Sequence, residues 1–566
     1  MDKEILDHAN VIEMENLETA RPNKVVMDNH VASNMAENLK EYGDINSKAL
    51  RATQYEHNLG AWQAIKMYPK ATAFSMLFSL ALIMEGYDTS LLGSFFAYPS
   101  FQEKFGDLQP DGTYQLTASW QSGLQAAVQV GEILGLWAAG SIAQRYGYKN
   151  TMLLALAIMI GAIFIMFFAQ NIGMLFAGEI ICGIPWGAFQ TLAVTYAAEI
   201  SPMQLRPFLT TYVNMCWVIG QLISTGVLRG LLSRTDDWGW RIPYAIQWFW
   251  PIPIIIGVLL APESPWWLVR HGQTEKAEKV LQSLVVARNS RDYDARDYLA
   301  MIIYTNELER QHKEGTSYLD CFRGVNLRRT EITCMVWVIQ ISCGIWFGGN
   351  VIYFLEQAGF DTDKSFDFGL GHQGVALFGT ICAWWIMQYV GRRSLYLHGL
   401  AINFTILIVV GFLGIPEPTE AIAYVTGTLL YIFTFTYDVT VGPVCYCLVS
   451  ELPSTRLRIR TVALARNCYN ILSIAANFLN NPILNPSAWN LRGKGGFIWC
   501  GFTLLSWIWS YYRLPETKGL TSGELDLLFE RKIKARDFGK VTVNLFNDAH
   551  TGTGLQEKAI EARLSQ

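Results

Sequence analysis

Apolar residues fall into runs of about 20, separated by short polar breaks, and about 20 residues are what a helix needs to cross the hydrocarbon core. The runs predict twelve spanning helices, at about 71–96, 121–143, 151–169, 174–198, 208–232 and 242–261, then about 331–355, 370–390, 395–414, 421–449, 460–481 and 496–513. We call these spans 1 to 12. They predict an all-α membrane protein built as a six-helix half over 71–261 and a second over 331–513. Between them lies a hydrophilic linker, 262–330. Within it, Gln273 to Val286 places Ala277, Val280, Leu281, Leu284 and Val285 at helical spacing, so the linker is expected to be short amphipathic helices without an independent core. The polar tails are 1–70 and 514–566, and about the first 65 and the last 45 residues are expected to be partly disordered.

Composition agrees with this pattern: 51% of the 566 residues are hydrophobic and 16% charged. The net charge of −4 changes little, because the charges sit in tails and loops. Arg145, Lys149, Arg206, Arg392, Arg393, Arg456, Arg458 and Arg460 collect on one side of the spans, with further basic residues in the linker, including Arg270, Arg328 and Arg329. Lys104, Arg234, Lys364, Arg492 and Lys494 fall on the other. That bias places both tails in the cytosol. No basic patch with interleaved aromatics points to nucleic acid. The ten cysteines are scattered, without metal spacing, and read as small buried hydrophobes; no cofactor is implied. No nucleotide loop or nucleophile elbow points to an enzyme.

The candidate chemistry lies inside the spans. Glu85 and Asp88, three apart near the middle of span 1, are expected on one helical face. A carboxylate at mid-membrane depth costs about 2.5–3.5 kcal/mol and usually faces a protein interior or a wet cavity. With Glu132, Glu179 and Arg466, five ionisable residues stand at expected membrane depth.

The two halves echo each other in three motifs. Glu199-Ile-Ser-Pro-Met-Gln-Leu-Arg206 ends span 4, and Glu451-Leu-Pro-Ser-Thr-Arg-Leu-Arg458 ends span 10. Gly140 to Lys149 links spans 2 and 3, and Gln388-Tyr-Val-Gly-Arg-Arg393 links spans 8 and 9. Pro262-Glu-Ser-Pro265 follows span 6, and Pro515-Glu-Thr-Lys-Gly-Leu520 follows span 12. Over about residues 60–525 this arrangement resembles the sugar porters of the major facilitator superfamily. Met84-Glu-Gly-Tyr-Asp88, Gly183-Ile-Pro-Trp-Gly187, Glu132, Arg466 and the leading Gln54-Tyr-Glu-His-Asn58 resemble, more narrowly, the fungal α-glucoside:proton symporters of the maltose-permease group.

The resemblance implies the major facilitator fold and alternating access to a sugar site near the midplane. It implies import of an α-glucoside with a proton across the plasma membrane by a monomer; a symporter for another glycoside, such as cellobiose or lactose, and a transporter-like sugar receptor are the alternatives. Asp88 with Glu85 is the expected proton site, biased by Arg466, with Glu132 and Glu179 as further acids. Glu179 stands where proton-coupled sugar porters often carry arginine. Gln221 and Gln340 match positions that hold sugar hydroxyls, and Tyr446 replaces a usual tryptophan. Asn350, Asn467, Asn470 and Trp186 are further sugar candidates. A cytosolic gate of ion pairs is expected among Arg145, Glu199, Arg206, Glu263, Arg392, Glu451, Arg458 and Glu516. Gln144 and Gln388 stand where the linking motif usually has aspartate, which removes charge from that network.

Overall fold

The computed structural model describes residues 47–541, apart from 57, 97, 109–113, 287–292, 312–316, 350, 358–361, 418, 485–488 and 490. Twelve spans form, several of them broken. Span 1 is Pro69–Ser79 followed by Ala81–Phe95, and spans 2 to 5 are Ala118–Tyr146, Tyr148–Phe167, Ile172–Ile200 and Arg206–Leu231. Span 6 runs from Trp238 to Leu260 through one turn of 3-10 helix. Span 7 starts at Gly324, widens to a π-turn over Ile341–Ile345 and is followed by Val351–Gln357. Spans 8 and 9 are Thr362–Tyr389 and Arg392–Leu413. Span 10 is Glu420–Val439 continued by Val441–Glu451, and spans 11 and 12 are Arg458–Leu484 and Gly495–Arg513. The π-turn needs Gly344, whose φ of 92° suits no side chain. A two-stranded ribbon, Asp107–Leu108 with Tyr114–Gln115, interrupts the loop after span 1.

Among the described residues, seven helices are long and apolar enough to cross a membrane by length and composition. Spans 1, 5, 8, 11 and 12 fall outside that set. Span 1 is split at Leu80, and spans 5, 8 and 11 carry buried polar groups such as Asn214, His372 and Arg466.

Within the first half, span 2 packs along span 4 and span 1 along span 5. Glycines bring these pairs together. A Cβ on Gly131 or Gly135 would overlap backbone of span 4, and one on Gly183 or Gly187 would overlap backbone of span 2. Gly86 and Gly220 make the same close approach between spans 1 and 5. Small residues four apart replace the hydrophobic effect, which has little force between helices in lipid. The halves meet along two seams, span 2 against span 11 and span 5 against span 8.

The linker forms helices at Pro265–Arg270, Thr274–Leu284 and Ala295–Gln311. They gather at one end of the bundle, the linker end. Ala277, Leu281, Met301 and Ile302 form a small core there with Ala49 and Ala52. Part of the first tail is ordered. Residues 47–56 are helical, and Ala49, Ala52, Thr53 and Glu56 bury one face. That stripe holds two alanines, a threonine and an acid, so hydropathy alone misses it. The second tail also has an ordered part: Ser522–Glu530 is a helix with Leu525, Leu528 and Phe529 buried.

Candidate functional site

The five buried ionisable groups do not form one site. Glu85 and Asp88 are both fully buried, but they turn to different neighbours. Arg466, on span 11, reaches Glu85 through Nη2 at 3.5 Å and donates from Nε to Gln190 Oε1 at 2.8 Å. Gln190, on span 4, donates to Glu85 at 2.6 Å. Glu132 of span 2 faces the same guanidinium, with Gln190 and Asn470 beside it. The guanidinium is 4.0 Å from the Tyr469 ring centroid and 4.5 Å from that of Trp337. This contact joins the halves: its acids belong to the first and its cation to the second.

Asp88 turns away from Arg466. It accepts from Gln247 of span 6 at 2.6 Å, while Glu179 of span 4 accepts from Tyr244 of span 6 at 3.2 Å. The expected pairing of Arg466 with Asp88 is therefore corrected to Glu85. Glu85 and Asp88 lie about 60° apart around the helix axis, close enough to be neighbours, yet span 4 inserts Gln190 beside one and Glu179 beside the other.

The sugar candidates are dispersed. Tyr446 packs edge-on against Trp337 at 5.0 Å, close to Arg466. Asn467 is buried with neither amide atom bonded to a described residue. Asn470 is buried beside Glu132. Gln340 donates to the Gly442 carbonyl of span 10 at 3.1 Å, so its amide nitrogen joins two helices. Gln221 is half-buried on span 5. Trp186 lies beside Asp88 and Cys182, one helical turn from Gln190 on span 4. Asn350 lies outside the described residues.

At the linker end the expected ion-pair gate is largely corrected. Glu199 pairs with Arg270 of the linker at 2.7 Å and accepts from Ser264, so it is not the partner of Arg206. Arg270 also donates to the Thr455 carbonyl of the second half at 2.8 Å. Arg206 and Arg458 converge on the Ser522 hydroxyl at 3.3 and 3.2 Å. Arg392 does meet Glu451, at 3.7 Å. Arg145 is exposed and lies against Tyr146. Glu263 and Glu516 are helix caps. Glu263 accepts from the backbone of Tyr148 and Lys149, and Glu516 from that of Arg392 and Arg393. Both spans thus begin on a carboxylate that satisfies N–H groups without helical partners. Gly147 and Gly391 make the room, since a Cβ on either would overlap the capping carboxylate.

Two results follow. Gly391→Ala is expected to displace the Glu516 cap and cost about 1–3 kcal/mol, read as a lower unfolding temperature. Adding Glu516→Ala should cost less than the two changes summed, and full additivity would contradict the capping role. Arg270→Gln strands the buried Glu199 carboxylate and is expected to cost ~3 kcal/mol by the same measurement. An unchanged midpoint would count against the bridge.

Several groups at these sites escaped the sequence reading: Gln190, Tyr244, Gln247, Trp337, Tyr469, Arg270 and Ser522. On span 4, Glu179, Trp186 and Gln190 recur at seven and then four residues, a helical stripe that could have flagged Gln190. Asp438 of span 10 and His372 of span 8 are further buried ionisable residues, the latter 2.7 Å from Thr434.

With this geometry in place, the comparisons decide the family. The family profile described as "Sugar (and other) transporter" matches residues 74–529. The chain belongs to the sugar transporter family. The transporter is 39% identical to maltose permease MAL61 of Saccharomyces cerevisiae over 519 residues, covering 90% of this chain and 84% of that one. It is 40% identical to a general alpha-glucoside permease of the same yeast over 508 residues, covering 89% and 82%. Among solved structures, the proton:xylose symporter XylE bound to 6-bromo-6-deoxy-D-glucose matches with a TM-score of 0.68 at 22% identity, covering 81% of this chain and 99% of that one. An inward open conformation of XylE from E. coli matches with a TM-score of 0.59 at 20% identity, over 81% and 99%. The fold of this transporter is that of the major facilitator superfamily.

Proposed function

We propose that the chain imports α-glucosides such as maltose, trehalose or sucrose together with protons, by alternating access. The carrying observation is the contact between Arg466 of one half and Glu85 of the other, set beside buried amides and aromatic rings. A sugar needs hydrogen-bond partners for its hydroxyls and a flat apolar surface for its C–H faces. Asn467, Asn470, Tyr446, Trp337 and Tyr469 supply both next to the charged contact. The yeast relatives support the substrate class, and the titled activity of XylE is in keeping with proton symport.

In this reading Glu85, Glu132 and Arg466 link proton occupancy to the position of the halves, since a proton on an acid weakens its hold on the guanidinium. Energetically, one proton moving through about 100 mV releases about 2.3 kcal/mol. One pH unit adds about 1.36 kcal/mol. Their sum supports roughly 500-fold accumulation of a neutral sugar at one-to-one coupling. The transporter works as a monomer in the plasma membrane, with the linker end and both tails cytosolic, as the basic residues gathered there favour.

The test is uptake into proteoliposomes under an imposed pH gradient, inside alkaline, across a panel of labelled α- and β-glucosides. Uphill uptake of α-glucosides, abolished by a protonophore, is expected. Uptake only to equilibrium, or accumulation of β-glycosides alone, would contradict the reading.

A further inference from the structure

The Asp88 group is built differently from the Glu85 group. Asp88 and Glu179 are both fully buried inside the first half, and they lie within hydrogen-bonding reach of each other. Span 6 fixes one oxygen of each: Gln247 donates to Asp88 Oδ1 and Tyr244 to Glu179 Oε1. The remaining oxygens, Asp88 Oδ2 and Glu179 Oε2, accept no full hydrogen bond from a described residue, although the Trp186 indole N–H, itself otherwise unpartnered, lies within reach of Asp88. Buried acceptors are rarely left in this state. Among the described residues, the groups around them include no cation. Span 1 contributes Tyr87, whose hydroxyl donates to the Pro243 carbonyl. Span 4 contributes Cys182 and Trp186, span 6 Tyr244 and Gln247, and span 2 the acid Glu132. The guanidinium of Arg466 is held by Glu85 and Gln190.

Two carboxylates within hydrogen-bonding reach of each other, with no cation beside them, are held most favourably by a single proton between them. We propose that Asp88 and Glu179 share one proton, titrate as a unit, and load the transported proton. This rests on the proton-coupled reading above. One carboxylic acid donates to one carboxylate, so the pair carries a single negative charge. The proton enters from water on the far side and leaves to water on the linker side, and no other bond changes. The pair sits wholly within one half, so rocking of the halves leaves its internal geometry intact. The Glu85–Arg466 contact spans both halves and reports their position. Loading and coupling are thereby divided between two clusters.

The sharing is read without sugar or gradient, by infrared spectra of the purified full chain at neutral pH. A deuterium-sensitive C=O band of a protonated carboxyl is expected. Glu179→Gln supplies a permanent amide donor to Asp88, and Asp88→Asn supplies one to Glu179. Each single variant should lose the same one-carboxyl band, and the double variant should lose no more. Loss in only one variant, additive losses, or full retention would overturn the shared proton. Thermal unfolding establishes that each variant is folded, and either variant alone suffices to test retention of the band. In proteoliposomes, Glu179→Gln should lose gradient-driven accumulation, and wild-type accumulation by it would overturn the loading role. A wild-type protein with the band but no gradient-driven uptake would instead sink the transport reading and leave the shared proton standing.

Discussion

Arg466→Leu is expected to abolish gradient-driven accumulation and to lower the unfolding temperature of the purified transporter. The substitution leaves Glu85 and Glu132 buried beside an apolar side chain, and removing one partner of a buried pair costs about 3–5 kcal/mol. Arg466→Lys should restore little. Lysine cannot present one nitrogen to Gln190 and another to Glu85 from a planar group lying against Tyr469 and Trp337. Adding Glu85→Gln to Arg466→Leu should recover part of the stability but none of the accumulation, because the proton-linked contact is gone. Accumulation by Arg466→Leu at the wild-type level would remove the contact from the mechanism.

Gly183→Val is expected to disrupt the fold of the first half. Its Cβ would overlap the Val128 carbonyl and crowd the Glu132 amide on span 2. Backbone on both sides leaves no flexible group to yield, so the helices must separate, at a cost of ~3 kcal/mol or more. Separation would also carry Glu132 away from Gln190 and Arg466. The expected readout is loss of folded, monodisperse protein on purification. Gly161→Val is the control, because a Cβ there meets nothing within 4 Å. Equal yields of the two variants would contradict the close-packing account.

The reach of sequence reasoning follows from what bilayer physics demands. A span must be long and apolar, so the runs of apolar residues place the helices closely. Span 7 begins at Gly324 rather than near 331 because Arg329, which reads as a loop residue, is buried against Asp526 of the second tail. The charged residues at membrane depth stand out for the same reason: each is too costly to be idle. What a pattern along one helix cannot give is the choice of partner across helices. Asp88 or Glu85 could each have met Arg466, and only the position of span 4 decides it. The linker-end motifs show a second limit. Their duplication is legible, but a glutamate beside arginines can form an ion pair or cap a helix. Glu263 and Glu516 cap because Gly147 and Gly391 leave the carboxylate room at a helix start. Amides and aromatics such as Gln190, Gln247 and Tyr469 carry too little signal to separate packing from function in one sequence.

The central claim is that buried acids in the first half exchange a hydrogen ion as sugar crosses. Sugar-induced pH change measures it most directly: maltose is added to weakly buffered, de-energised cells that carry the transporter, and external pH is followed. The account predicts immediate alkalinisation with wild-type protein, abolished by a protonophore and absent with Asp88→Asn. Sugar entry by the wild type without alkalinisation, or an undiminished response from Asp88→Asn, would contradict it.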